Sequence, residues 1–524
     1  MSTVIISVSN KNNIVTFAQK LQNLRWDIIA SDGTAKLLKT NCISCKEISD
    51  VTNFPELLDG RVKTLNPKIY CGILAIRSNL KHIEQLKLYN IKTIDMVVVD
   101  LYPFEQTMME IPKSNKKSIN KKIIENIDIG GVSLLRAAAK NFNDVLVVCD
   151  INDYEIVIDK LANHSISKEF KLELAAKAFR YIAYYDSLIS NYLTNDEDRF
   201  YNYVTIPLKK QSNLRYGENP HQKAAIYYNN NANDVNQNKS SILTAQKLHG
   251  KELSYNNYLD LNVAWNLVNE FENPACVIIK HNNPCGCAES FNIKDAYIKA
   301  LNCDTISAFG GILAFNRCIN EETATEINKL FVECIIATDY SKESLAILRQ
   351  KHNIRILLQK KLFNSKTNSL EYKPVTNGML IQNNDNQLFS EMNVVTDRIP
   401  TKEEKNSLLF AWKVAKFVKS NAIVLVQDKQ TIGIGAGQMS RIDSLKIAIE
   451  KMKLLKYKLN KEEFPIVLAS DAFFPFSDVV NEASNIGVTA IMQPGGSIND
   501  IESIKMANSK NITMITTNMR HFKH

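Results

Sequence analysis

Short apolar runs that stop abruptly at polar or glycine-rich turns recur along this chain, and they constrain its fold more than any other feature. Val4 to Val8 is apolar and β-branched; after Ser9-Asn10-Lys11, residues Ile14, Phe17, Ala18, Leu21 and Leu24 return at the spacing of one helix face. A strand that feeds a helix through a polar turn is the repeating unit of a parallel α/β sheet. Trp26 to Ala30, Met96 to Val99 and Val145 to Val148 repeat the pattern as further apolar runs, which reads as buried parallel strands. Residues 1–197 are therefore predicted to form one α/β domain. Helical spacing from Lys168 to Leu193 gives way to the polar run Thr194 to Asp198, which places the boundary before a second part, residues 198–524. There, Ala275 to Ile279, Ala422 to Val426 and Pro465 to Ala469 each end at a polar or Gly/Pro-rich segment, a strand count that fits two similar α/β halves. The Asn-rich stretch Asn229 to Asn238 reads as a surface loop.

At 524 residues with 45% hydrophobic and 23% charged side chains, the chain can bury several cores and is not broadly disordered. The net charge of +9 is spread out, with short clusters only at Lys113 to Lys122 and Lys451 to Lys461. That pattern suits a solvated surface and anionic small substrates, and predicts neither a nucleic-acid nor a membrane partner. No apolar run approaches the ~18 residues of a membrane span, and the first thirteen residues do not read as a secretion signal, so a cytoplasmic location is expected. Ten irregularly spaced cysteines fit a reducing compartment. Cys42 and Cys45 form a CxxC without a second at zinc-ribbon spacing. The segment His281 to Cys287 superficially resembles a zinc deaminase, but it lacks the required His-x-Glu and spaces its cysteines CxC, so no metal is expected.

Three segments of the first domain look built for a phosphate: Ser9-Asn10-Lys11, Ser31-Asp32-Gly33-Thr34 and Arg61-Val62-Lys63-Thr64. Hydroxyl and small residues at a strand-to-helix turn offer backbone N–H groups to an anion, and the basic side chains neutralise it. Tyr102 and Asp128, each beside a Gly or Pro turn, and Lys140, one short helix later, add candidate proton-transfer groups. In the second part, Lys280-His281 ends an apolar strand: an imidazole can serve as base while the neighbouring ammonium steadies an oxyanion. Segments around Asn421, Gly433 to Arg441, Ser470 to Phe476, Pro494 to Ser497 and Arg520 to Phe522 pair tight turns with polar groups. The glycines of the Gly433 stretch read GxGxG with no acidic residue ending a following strand, which disfavours a dinucleotide cofactor.

The segments SVSNK, DGRVKTL, DLYPF, ENIDIGG and RAAAKN, then LRYGENPHQ, SYNN, VIIKHNNPCG, SAFGG, VKSNAI, GIGAGQMSR, SDAFFPF, QPGGS and MRHF, lie in order along the chain. Together they resemble the bifunctional AICAR formyltransferase/IMP cyclohydrolase family over its whole length. The resemblance implies an N-terminal methylglyoxal-synthase-like cyclohydrolase, a C-terminal transformylase of two cytidine-deaminase-like halves, and a homodimer. The implied activity is formyl transfer from 10-formyltetrahydrofolate, a co-substrate and not a tightly bound cofactor, to AICAR. Formyl-AICAR then closes to IMP with loss of water. By the same resemblance Lys280 and His281 are the transformylase pair. Arg215, Tyr216, Gly310, Glu333, Asn421, Arg441, Phe473 and Arg520 match AICAR-binding positions, and Ile442, Asp478, Ser497 and Ile498 match positions that touch the reduced folate. Lys11, Ser31, Gly33, Thr34, Arg61, Lys63 and Thr64 match nucleotide-binding positions. Lys63 also counts among the catalytic candidates, and Tyr102, Asp128 and Lys140 match groups tied to ring closure, with Lys140 favoured for proton transfer.

Departures from the family cluster in the N-terminal half. Asp32 replaces a glycine of the phosphate turn, Asn66 and Tyr70 stand where two histidines are usual, Asp100 replaces an Asn, and further on Ser477 replaces an Arg. A carboxylate beside a phosphate is repulsive unless it points away. An alternative for the first domain is therefore a nucleotide-binding module with reduced cyclohydrolase activity.

Overall fold

The computed structural model describes residues 2–55, 57–111, 119–194, 200–229, 241–360, 370–455 and 464–524. Most of the polar run proposed as a boundary, the Asn-rich loop, and parts of both lysine clusters lie outside these residues. The chain divides into two compact units, one of residues 1–210 and 227–238, the other of residues 211–226 and 239–524.

In the first unit, strands β1 (Thr3–Val8), β2 (Asp27–Ala30), β3 (Lys46–Glu47), β4 (Met96–Asp100) and β5 (Leu146–Val148) form one sheet in the order β3-β2-β1-β4-β5. Every pairing is parallel, with Val4 opposite Ile28 on one side and Met96 on the other. The continuous apolar runs have the predicted consequence: Val4, Ile5, Ile6, Met96, Val97 and Val148 are wholly buried or nearly so, and helices cover both faces. The long helix spans Lys168–Leu193, as the spacing predicts, and opens with Ser167 accepting the N–H of Phe170. Because the chain leaves β1 toward β2 on one side and β4 lies on the other, β1 and β4 bound the switch point where such sheets hold ligands.

β6 (Leu208–Leu214) and β7 (Ala224–Asn229) form a two-stranded sheet, as do β14 (Leu370–Val375) and β15 (Gly378–Asn383). The second unit is built on a twelve-stranded sheet. Its first half comprises β8 (Gln246–His249), β9 (Ala275–Lys280), β10 (Asn283–Glu289), β11 (Gly311–Phe315), β12 (Val332–Ala337) and β13 (Arg355–Leu358). Its second comprises β16 (Asn393–Val394), β17 (Ile423–Gln427), β18 (Gln430–Gly435), β19 (Ile466–Ser470), β20 (Val488–Gln493) and β21 (Thr513–Thr516).

The order β16-β21-β20-β19-β17-β18-β10-β9-β11-β12-β13-β8 reads identically outward from its centre. Each half opens with an antiparallel hairpin, adds one antiparallel strand and two parallel strands, and ends on an antiparallel edge. The two similar halves expected from the strand count are thus present. They join where β10 meets β18, Ala288 opposite Gln430. One face of the sheet carries a shared core beneath helices Tyr255–Val268 and Lys402–Ala415, while the other carries a separate core for each half.

The repeat extends to single glycines. A Cβ on Gly286 of β10 would sit 2.0 Å from the Ala300 carbonyl oxygen, and one on Gly433 of β18 would sit 2.1 Å from that of Ala448. Each glycine lets a helix backbone lie directly on the central strand. We expect Gly433→Ala to cost about 1–3 kcal/mol by overpacking, seen as a lower urea midpoint for the second unit, whereas Gly437→Ser, with nothing near its Cβ direction, should be limited to the strain of its positive φ.

Candidate functional site

The switch point of the first unit opens into a cavity of about 750 Å³. Its walls include Ser9 and Lys11 after β1, Ser31 and Gly33 after β2, Asp100 and Tyr102 after β4, and Arg61, Lys63, Thr64 and Asp128 from the intervening segments. Eight of the residues singled out in the sequence for the nucleotide or ring closure thus line one pocket. Thr34 supports it from below: its hydroxyl accepts from Lys11 Nζ at 2.8 Å and lies 3.4 Å from Ser31 Oγ. Burial pushes the Lys11 ammonium down, partly opposed by Asp100. Asp100 caps the β1 turn by accepting the N–H of Asn10 at 2.7 Å.

Asp128 is held by two backbone donors, Gly131 N–H at 2.6 Å and Tyr102 N–H at 3.3 Å, and burial still raises its carboxyl above the ordinary range. A carboxyl raised in this way holds a proton more readily than an exposed one. Gly130 and Gly131 have a steric reason: a Cβ on the first would strike Thr64 Oγ1 and on the second the Asp128 carboxylate.

Lys140 lies apart from these residues. It stands exposed at the last position of helix Gly130–Lys140, whose first residue lines the cavity, and at 1.5 Å per residue that separation is about 15 Å. It borders a different, apolar hollow with Leu74, Phe142, Leu172 and Phe179. Motif adjacency along a chain does not survive a full helix. Asp32 is also resolved by geometry. Its carboxylate lies 3.2 Å from Lys63 Nζ, so it is paired with a candidate ligand of the nucleotide and does not stand alone in the phosphate turn. Asn66 caps helix Pro67–Leu74 by accepting the N–H of Lys68, and burial pushes the Tyr70 phenol up to about 12; neither lines the cavity.

In the second unit the candidates gather along one edge of the long sheet. Lys280 ends β9, and its ammonium donates to the carbonyls of Phe309 at 2.9 Å and Gly310 at 3.0 Å, using two of its three N–H groups. Gly310 has φ 66°, and a Cβ there would come within 3.1 Å of that ammonium. His281 is exposed at the tip of the β9–β10 turn. Two residues on, Asn283 Oδ1 accepts the N–H of Lys419 at 2.9 Å, which ties this turn to the Lys419 to Asn421 segment of the other half. The Asn421 amide donates to the carbonyls of Gln438 and Met439.

Arg441, first residue of its helix, reaches Asp471 Oδ1 and Ser470 Oγ, both at 3.3 Å. Two guanidinium groups approach the Phe522 ring, Arg520 at 4.5 Å and Arg441 at 6.0 Å from its centre. Glu333 at the start of β12 accepts from the buried Asn257 at 2.9 Å. Phe473 and Asp478 follow β19 and Ser497 and Ile498 follow β20; Asn499 donates to the Pro475 carbonyl and ties these two loops together, while Ile442 sits beside Arg441. Arg215 stacks on Tyr216 at 4.9 Å, and no described contact links this pair to Arg441 or Asn421.

Asp471 was missed as a site residue. Fully buried, it accepts from Arg441, from the Ala422 N–H and from the Ser420 hydroxyl, and the signal was present: a carboxylate immediately after the apolar strand β19. The CxC of β10 does not form a metal site. A register shift between Pro284 and Gly286 sends Cys285 into the core on one face of the sheet and Cys287 into the core on the other, so the two thiols cannot converge on one ion. Burial holds both thiols protonated.

Comparison with known proteins agrees with both halves of this description. Residues 13–133 match the family model of the MGS-like domain, and residues 138–451 match that of the AICARFT/IMPCHase bienzyme. The chain is 50% identical to the bifunctional purine biosynthesis protein PurH of Caldicellulosiruptor saccharolyticus, with 99% of each chain covered. It is 47% identical to the protein of that name from Persephonella marina, again with 99% of each covered, and 47% identical to that of Buchnera aphidicola, covering 100% of this chain and 99% of the other. Its parallel first unit, its duplicated second unit and an end-to-end match to these bifunctional proteins place the chain in the AICARFT/IMPCHase bienzyme family.

Proposed function

We propose that residues 198–524 transfer a formyl group from 10-formyltetrahydrofolate to AICAR and that residues 1–197 close the product to IMP. The family supports both activities; the observation that supports placing the first is that Lys280 and His281 share one strand end whose turn is bonded, through Asn283, to Lys419, two residues before Asn421. The AICAR amine is a poor nucleophile because the ring carboxamide draws on its lone pair. As its nitrogen bonds to the formyl carbon, His281 takes the amine proton and the remaining Lys280 N–H stabilises the oxygen of the tetrahedral adduct. The bond to the folate nitrogen then breaks, and that nitrogen is protonated. AICAR is held by the arginines, Asn421, Gly310, Glu333 and Phe473, and the folate lies against Ile442, Asp478, Ser497 and Ile498.

In ring closure the carboxamide nitrogen attacks the formyl carbon and water leaves. Lys63, Tyr102 and Asp128 handle the protons, while Lys11, Ser31, Gly33, Thr34, Arg61 and Thr64 hold the phosphate and ribose. Lys140, at the far end of the helix that starts at this cavity, is the further proton-transfer group of ring closure. The functional state is a homodimer in the cytoplasm. Ten unpaired cysteines fit that compartment, and among the described residues no helix is long and apolar enough to cross a membrane.

His281→Ala should lower formyl transfer by roughly 10²-fold, the scale of a lost general base, and leave conversion of added formyl-AICAR to IMP unchanged. Lys280→Ala should affect the same step. Near-normal transfer in the His281 variant would remove the base from this mechanism. In the first unit, Asp32→Gly should release Lys63 and tighten IMP binding; titration calorimetry that finds the same dissociation constant would show that the carboxylate does not compete with the ligand. Coupling of the two steps is tested in the full chain. The formamide is little more stable than the formyl donor, so a Lys63→Ala, Asp128→Asn variant should stall at a small equilibrium yield of formyl-AICAR. Complete conversion to formyl-AICAR without IMP would refute that coupling.

A further inference from the structure

The turn that presents His281 is conformationally costly. Lys280 and Asn283 pair across it, leaving only His281 at φ 53° and Asn282 at φ 61°, both left-handed. Two-residue hairpin loops of this kind favour Asn-Gly or Gly-Gly, because a Cβ is disfavoured at positive φ. The equivalent turn of the other half, Asp428 (φ 46°) and Lys429 (φ 54°), is also free of glycine, and there each side chain is fastened: Asp428 to Lys299 at 3.0 Å, Lys429 to Glu289 at 3.4 Å. Both strained turns are thus held from outside.

At the His281 turn the fastening centres on one side chain, Asp260. Asp260, on helix Tyr255–Val268, accepts the N–H of Asn282 on Oδ1 at 2.7 Å, and its carboxylate also receives the backbone N–H of His281. With its amide oriented to donate, Asn282 adds bonds to Asp260 Oδ1 and the Leu259 carbonyl, both at 3.2 Å. Burial raises the Asp260 carboxyl, while these N–H groups and the nearby His281 and Lys280 lower it. Asp260 is one helical turn beyond Asn257, which orients Glu333 from the same helix.

We propose that Asp260 is a positioning residue for formyl transfer, locking the left-handed His281–Asn282 turn and so fixing the imidazole relative to the Lys280 ammonium. The proposal rests on His281 as the base. A shift of about 1 Å in a reacting group can cost on the order of 10²-fold in rate, so the turn need not unfold for activity to fall.

The test uses the full chain and four variants, Asp260→Ala, Asp260→Asn, Asn282→Gly and Asp260→Ala with Asn282→Gly, assayed for formyl transfer beside His281→Ala. Asp260→Ala should lower kcat by about 10- to 100-fold with KM for AICAR changed less than about threefold. Asp260→Asn, which keeps an acceptor oxygen, should recover most of the rate. Asn282→Gly supplies a residue at ease at positive φ, so in its background the loss on removing Asp260 should be several-fold smaller. An equal loss in both backgrounds, or an Asp260→Ala enzyme with unchanged kcat while His281→Ala is inactive, would overturn the proposal. If His281→Ala itself retained transfer, the base assignment would fall instead. Should Asp260→Ala not fold, the comparison of Asp260→Asn with Asp260→Ser in both backgrounds gives the same decision.

Discussion

The antiparallel seam between β10 and β18 is the constraint on which the second unit depends. It is short, yet it is sealed by side chains: the Thr431 hydroxyl accepts the N–H of Cys287 at 2.9 Å and donates to the Cys287 carbonyl at 3.1 Å, and Gln430 reaches the Lys299 carbonyl. Below it, Phe271 and Phe410 meet at 5.0 Å in the core that both halves share. Without this seam each half would expose a hairpin edge, which is an open template for association. With it, the start of β10 and the end of β18 lie side by side, and the His281 turn of one half reaches the Lys419 to Asn421 segment of the other.

The duplicated fold then explains why one half presents Lys280 and His281 and the other presents Asn421 and Arg441. Both hairpins turn on two left-handed residues, but antiparallel pairing at the seam sends the two turns to opposite ends of the sheet. The Asp428–Lys429 turn is consumed by ion pairs, whereas the Lys280–His281 turn stands beside the ends of β18 and β19. Asp471 at the end of β19 supplies the buried carboxylate that orients Arg441. A buried ion pair of this sort stabilises little by itself; its consequence is a guanidinium with one fixed direction.

In the first unit the same physics operates through parallel strands. Reversal of strand order beside β1 leaves a crevice at the strand ends, and the turns after β1, β2 and β4 open into it. The opposing charges there, Lys11 with Asp100 and Lys63 with Asp32, leave a pocket whose cations already face carboxylates.

The sequence by itself determined the strands and the chemistry. Runs such as Met96 to Val99 and Ala275 to Ile279 read as buried strands, because continuous apolar, β-branched residues at that length leave no face for water, and the order of motifs identified the family. Tertiary structure alone decided which of those residues meet. Lys140 follows Asp128 by twelve positions, yet a rigid helix carries it away from the pocket. Asp32 looked repulsive in the linear order but finds Lys63, thirty-one residues on, across the fold. Cys285 and Cys287 looked like neighbouring ligands until a single register shift placed them on opposite faces. Asp260 and His281 share no motif, and only the packing of a helix against a hairpin makes one the support of the other. Local pattern reports what a segment must bury; which polar groups face one another depends on strand register, helix length and the seam, and these are set by contacts between segments far apart in the chain.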